Sequence, residues 1–164
     1  MSKDVFSTGD FVVYPTHGVG KVLSITKDTV AGQELELIAV HFDKDRMTLR
    51  VPMVKAKNSG LRKLSNRNIM DTALATLRGK SKPKKTMWSR RAQEYEAKIN
   101  SGDPVSIAEV VRDLYRSEVQ AEQSYSERQI YEQALERLAN ELAALEKTNS
   151  KEATVKLRNI LSLA

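Results

Sequence analysis

The sequence predicts an α+β protein of two modules, and three observations carry that expectation. Residues 1–64 carry β-branched and apolar residues in short runs broken by turn-forming clusters. Residues 65–164 carry apolar residues at spacings of three and four, the period of helices packed on one face. Within the second pattern, from Arg78 to Arg91, stand seven cations and no acid. The expected boundary is 64/65, with a basic segment over 78–91.

In the first module four strands are predicted: FVVYP (11–15), GKVLSIT (20–26), ELELIAVHF (34–42) and MTLRVP (47–52). Thr16-His17-Gly18, Ala31-Gly32 and Asp43-Lys44-Asp45 are the turns between them. Leu35, Leu37 and Ala39 alternate with Glu34, Glu36 and Ile38, the period of a half-buried strand. Leu61–Leu64 can supply a closing strand. So many short strands in so few residues suit a small, strongly curled sheet or barrel.

About five helices are predicted after Leu64. Ser65 or Asn66 caps the first, which carries Ile69, Ala73, Leu74 and Leu77 and ends at Gly79. The second runs from about Met87 to Asn100. Asp103-Pro104 opens the third, because Asp accepts free N–H groups and Pro lacks one where none is needed; Ile107, Val110, Val111 and Leu114 face inward. Ser124 or Ser126 opens the fourth, with Tyr131, Leu135, Leu138, Leu142 and Leu145 as bundle core. The fifth starts at Ser150 and turns Val155, Ile160 and Leu161 inward.

Composition narrows the chemistry. There is no cysteine, so no disulfide or thiolate metal site can form, and a reducing compartment fits. His17 and His41 lie on different predicted segments, and no metal or other cofactor is expected. GVGK (18–21) only faintly resembles a phosphate loop: Pro15 and Val22 occupy positions where that motif needs Gly and Ser or Thr. Its glycines suit a sharp turn instead. No catalytic motif appears, and the expectation is that the protein is not an enzyme. MSKDVFSTGD lacks an apolar signal core and no apolar run is longer than FVVY, so the expected location is cytoplasmic, without membrane contact.

The net charge of +6 is unevenly spread. Residues 65–91 hold eight cations against one acid, whereas residues 92–164 hold nine against thirteen. Trp88, the only tryptophan, lies inside the basic stretch KSKPKKTMWSRR (80–91). One reading makes Trp88 an anchor of a helix on its core, with Lys80–Lys85 a solvated linker. The other makes Lys and Arg neutralise phosphates while the ring stacks on an unpaired base or wedges against a base step from the minor groove. Neither reading involves recognition of base edges.

FSTGDFVVYPTHGVGKV, RVP (50–52), and WSRR followed by SGDPVSIAEVVRDLYR together resemble the CarD/CdnL family of bacterial transcription regulators, in order along nearly the whole chain. The N-terminal half is also similar to the polymerase-interacting module of transcription-repair coupling factor. The resemblance implies a Tudor-like barrel that docks on the lobe of the RNA polymerase β subunit, followed by an all-α module that contacts promoter DNA at the upstream edge of the bubble. It implies that Trp88 inserts there and prolongs the open complex, with Arg90 and Arg91 on the flanking backbone. It further implies polymerase contacts by Arg50, Val51 and Pro52 on one strand and by Val30 in the preceding hairpin. Asp28 stands where some relatives carry arginine. Gln93 replaces a lysine that some relatives use on DNA, with Lys84 and Lys85 as compensating cations. A monomer, associated with the nucleoid, is expected. The rival expectations are a general nucleic-acid-binding architectural protein without polymerase docking, and an interaction scaffold using the Tyr131–Leu145 stripe.

Overall fold

The computed structural model describes residues 6–43, 46–80, 87–115 and 124–163. The chain divides into two compact units, Met1–Leu64 and Ser65–Ala164.

The first unit is built on a long hairpin. Strand β1 (Phe11–Tyr14) turns through Gly18, at φ +84°, into β2 (Gly18–Val30). A two-residue turn then leads to β3 (Gln33–Phe42). Its residues Ala31 (φ +52°) and Gly32 (φ +78°) are both left-handed, the turn whose twist matches that of the strands it joins. Next come β4 (Met47–Pro52), a short helix α1 (Met53–Asn58) and β5 (Arg62–Lys63). All pairings are antiparallel, in the order β4-β3-β2-β1-β5.

The sheet does not close into a barrel. β5 has two residues and pairs only with β1, while β4 pairs only with β3. A two-residue strand is too short to ladder against two neighbours, and α1, which the sequence reading missed, packs against β3 and β4. Its signals were weak because the N-cap is Pro52, with no side-chain acceptor. Its end is well formed. Leu61 N–H returns to the Ala56 carbonyl and Gly60 N–H to that of Lys57, with Gly60 at φ +94°, so the last carbonyls are satisfied.

The core of this unit holds Val12, Val22, Ile38, Val40 and Phe42 from the sheet, with Met53 and Ala56 of α1. The alternation read in β3 holds at its start, where Leu35 and Leu37 are half-buried between exposed Glu34 and Glu36, but Ile38, Val40 and Phe42 form its core face. Both parities are apolar from Leu37 to Val40, so alternation alone did not select a face. Gly20, read from the sequence as a turn glycine, lies instead within β2 opposite Val12, where its lack of a side chain serves packing. A Cβ there would lie 2.6 Å from Val40 Cγ1 and 2.8 Å from a Phe42 ring carbon, both on buried side chains. Gly20→Ala should therefore destabilise this unit by about 2 kcal/mol through overpacking, read as an earlier urea midpoint.

The second unit contains α2 (Arg67–Leu77), α3 (Trp88–Asn100), α4 (Pro104–Leu114), α5 (Tyr125–Glu146) and α6 (Ser150–Leu163). Asn66 Oδ1 caps α2, Asp103 caps α4, Ser124 Oγ caps α5, and Asn149 Oδ1 accepts from Glu152 N–H at the start of α6. Helix α4 packs against α2, α3 and α5, and α5 also packs on α6. Ile107, Val110, Val111 and Leu114 are buried as the spacing predicts, as are Leu135, Leu138 and Leu142 of α5. Two apolar assignments shift. Ile69, whose N–H meets the Asn66 cap, faces out at 40% exposure, and Met70 takes its place with Ala73, Leu74 and Leu77. In α6, Val155 is exposed, and Ala153, Leu157 and Leu161 form the buried stripe at spacing four.

Two acids, Glu141 and Glu146, tie this unit together. Buried Glu141 accepts from Ser65 N–H at 2.8 Å, fixing the chain as it enters α2. Glu146, the last residue of α5, is where a helix terminus disfavours negative charge. Arg67 of α2 and Lys156 of α6 compensate, each 2.8 Å from Glu146 Oε2. The Lys156 bond first, then that of Arg67, holds its carboxyl below the ordinary value of 4.5. A depressed folded-state pKa contributes stability above the unfolded value, lost as pH falls through the folded value. Glu146→Gln should thus cost about 1 kcal/mol near neutrality, with the gap to wild type closing below about pH 4 in thermal melts at stepped pH.

Candidate nucleic-acid interface

Trp88 is the first residue of α3. Its N-cap is Met87, whose side chain supplies no capping bond, and the first turn contains no acid. Among the described residues, neither a side-chain cap nor a first-turn acid offsets the positive end of the helix dipole.

The indole is half-buried, part of it packed against the helical core. Its Nε1–H donates to Ser126 Oγ of α5 at 3.1 Å. Three residues on, Arg91 lays its guanidinium over the Trp88 ring, 5.4 Å from the centroid, and 5.8 Å from that of Tyr95. Trp88, Arg91 and Tyr95 follow the i, i+3, i+7 spacing of one helix face. The two rings are 6.2 Å apart and tilted by 47°, and Arg91 Nη2 donates to Tyr95 Oη at 3.3 Å. Arg91 Nε is buried and unpartnered among the described residues.

The anchoring role is the one the packing displays: part of the ring sits on the helical core with its N–H on Ser126, and the remainder is accessible to solvent. The two arginines are placed differently. Arg90 is exposed, as is Gln93, whereas Arg91 is partly buried against the aromatic rings and braces Trp88. Lys84 and Lys85 lie outside the described residues. The sequence reading missed Tyr95 and Ser126; seven-residue spacing could have suggested the first, but Ser126 lies 38 positions from Trp88 and only tertiary packing brings it there.

The other expected contact residues lie in the first unit. Directly paired residues share a sheet face. Arg50 pairs across to Ala39 and Ser24, Pro52 to Leu37 and Thr26, Leu35 to Asp28, and Gln33 to Val30. These register positions all fall on the face opposite the core. Arg50 and Asp28 are exposed there, and Leu35 and Leu37 half-buried. Asp28 Oδ1 accepts from Thr29 N–H at 2.8 Å. Val51 is the exception: it pairs with Ile38 and packs against the core, so it belongs to the other face. β4 is an edge strand, and β3 from Gln33 to Glu36 runs past its end as a ribbon with β2.

An antiparallel unit with an open, partly apolar edge and a helical unit with a braced tryptophan in its most basic stretch define a two-module protein with two separate candidate surfaces. Comparison with known families matches residues 72–158 to "CarD, C-terminal domain" and residues 6–65 to "CarD-like/TRCF RID domain". The chain belongs to the CarD family. Over 148 residues, 90% of this chain and 97% of the relative, it is 25% identical to the Bacillus subtilis (strain 168) protein named "Putative transcription factor YdeB". The solution NMR structure of the 72-residue N-terminal domain of Myxococcus xanthus CarD is 36% identical, matching 38% of this chain and 89% of that domain with a TM-score of 0.30. No helix among the described residues is long and apolar enough to cross a membrane.

Proposed function

We propose that this protein is a transcription regulator that binds RNA polymerase through its first unit and stabilises the open promoter complex through its second. The outer sheet face carrying Arg50, Leu37 and Pro52 docks on the β subunit. Trp88 enters the distorted minor groove at the upstream edge of the bubble, and Arg90 meets the flanking phosphates. Arg91 braces the ring. The protein works by binding alone, without catalysis, as a cytoplasmic, nucleoid-associated monomer. A Tudor-like fold of the first unit, in the open form described, belongs to this proposal.

The observation that carries the reading is the partly buried, braced Trp88 at the start of α3 in a chain that matches the family along both modules. A basic face alone binds DNA weakly and everywhere. Docking on polymerase raises its effective concentration at promoters, so modest DNA affinity suffices. Better binding to the open than to the closed complex shifts the equilibrium between them by the difference in free energy.

The test is the lifetime of open promoter complexes after heparin challenge, with and without the protein, alongside polymerase pull-down. Prolonged complexes that need both an intact Trp88 and Arg50 support the proposal. Polymerase-independent DNA binding with no effect on lifetime would instead support a general architectural protein.

A further inference from the structure

The Trp88–Ser126 hydrogen bond joins the first turns of two helices, α3 and α5. On each chain segment the residue just before the bonded one is a large apolar side chain in water. Met87 is 78% exposed and Tyr125 is 80% exposed, the two highest exposures among the large hydrophobics of the described residues. An aromatic ring normally buries most of its surface, so a tyrosine this open at a helix start contributes little to the fold. Cations stand three residues beyond Met87 and Tyr125: Arg90 is exposed on α3, and Arg128 on α5 has a side chain 70% exposed and paired with Glu132 at 3.9 Å. Glu127 is the acid of that first turn.

We infer that Tyr125 is a second stacking ring of the Trp88 site, taking an unpaired or unstacked nucleobase next to the position that Trp88 occupies, with Met87 filling the apolar step between them. The inference rests on the proposed function for its ligand. Rings flanked by cations are the usual surface for bases freed from a duplex, because every base offers a π face and its phosphate a negative charge. A protein partner would be expected to bury these side chains within a wider apolar patch. Here they stand at a corner where two helices begin, with arginines close by in sequence.

The experiment uses the full-length chain and fork-junction DNA carrying 2-aminopurine at successive unpaired positions, with fully paired duplex as reference. Tyr125→Ala should weaken fork binding about fivefold or more, lower quenching at one 2-aminopurine position, and leave duplex binding unchanged. Tyr125→Phe, which keeps the ring and loses only the hydroxyl, should behave as wild type. Circular dichroism confirms that α5 is intact. If Tyr125→Ala matches wild type on the fork while Trp88→Ala does not, the second ring is refuted and the Trp88 wedge survives. If neither variant changes fork binding, the proposed function falls together with this inference.

Discussion

Trp88→Ala is expected to shorten the protein-dependent lifetime of the open complex about tenfold, while association with polymerase stays at the wild-type level. The magnitude follows from base stacking on an aromatic ring, about 1–3 kcal/mol, where 1.4 kcal/mol is a factor of ten. Inserting the ring where the duplex is already kinked avoids part of the unstacking cost, so most of that interaction remains as net stabilisation. The ring is also held before it binds: Ser126 fixes its N–H and Arg91 covers one face, so little rotamer freedom is lost at the DNA. Part of the indole packs on the helical core, and its removal will lower the stability of the second unit as well. Trp88→Phe separates the two effects. It preserves much of the packing and some stacking, and should give an intermediate lifetime at nearly unchanged melting temperature. As the only tryptophan, Trp88 offers a direct signal. Its fluorescence should be quenched when the open complex forms and stay unaltered when polymerase binds without DNA.

The strands and long helices were legible because their signals are local. β-Branched and apolar runs between turn clusters marked β1 to β4, and Asp103-Pro104 marked α4 to the residue, since capping depends on neighbours only. Helix α1 was illegible for the converse reason: without a side-chain cap at its start, it is defined by packing on β3 and β4 and by the Gly60 turn. In β3 a real pattern left the core face open. Leu35, Leu37 and Ala39 do share a face, but Ile38, Val40 and Phe42 form the face packed on the core. At the candidate site, residue types in the basic stretch pointed to Trp88 and to exposed Arg90. The bracing role of Arg91 was not legible, because a cation in a basic run reads as a phosphate contact until its side chain is seen against two rings.

That same apolar row makes the second large effect predictable. Arg50→Glu should reduce polymerase binding at least tenfold while the first unit keeps its stability and the second keeps its DNA affinity. Arg50 is exposed on the edge strand and its register neighbours are Ala39 and Ser24. Reversal therefore removes no core packing, and a loss of binding cannot be traced to unfolding. In the adjacent row lie Pro52, Leu37 and Thr26, a small apolar surface beside the charge. Interfaces of this kind draw orientation from the charge and affinity from the apolar contact, and like charges juxtaposed across an interface cost several kcal/mol. Leu37→Ser should then weaken binding by a smaller factor, mainly through faster dissociation, whereas Arg50→Glu should also slow association at low salt. Val51 supplies the contrast. It neighbours Arg50 in sequence but packs on the core with Ile38, so Val51→Ala should lower the urea midpoint of the first unit and leave polymerase affinity unchanged under folding conditions. A regulator that binds DNA without polymerase would show none of this division between two adjacent residues, because neither face of the sheet would then carry a partner.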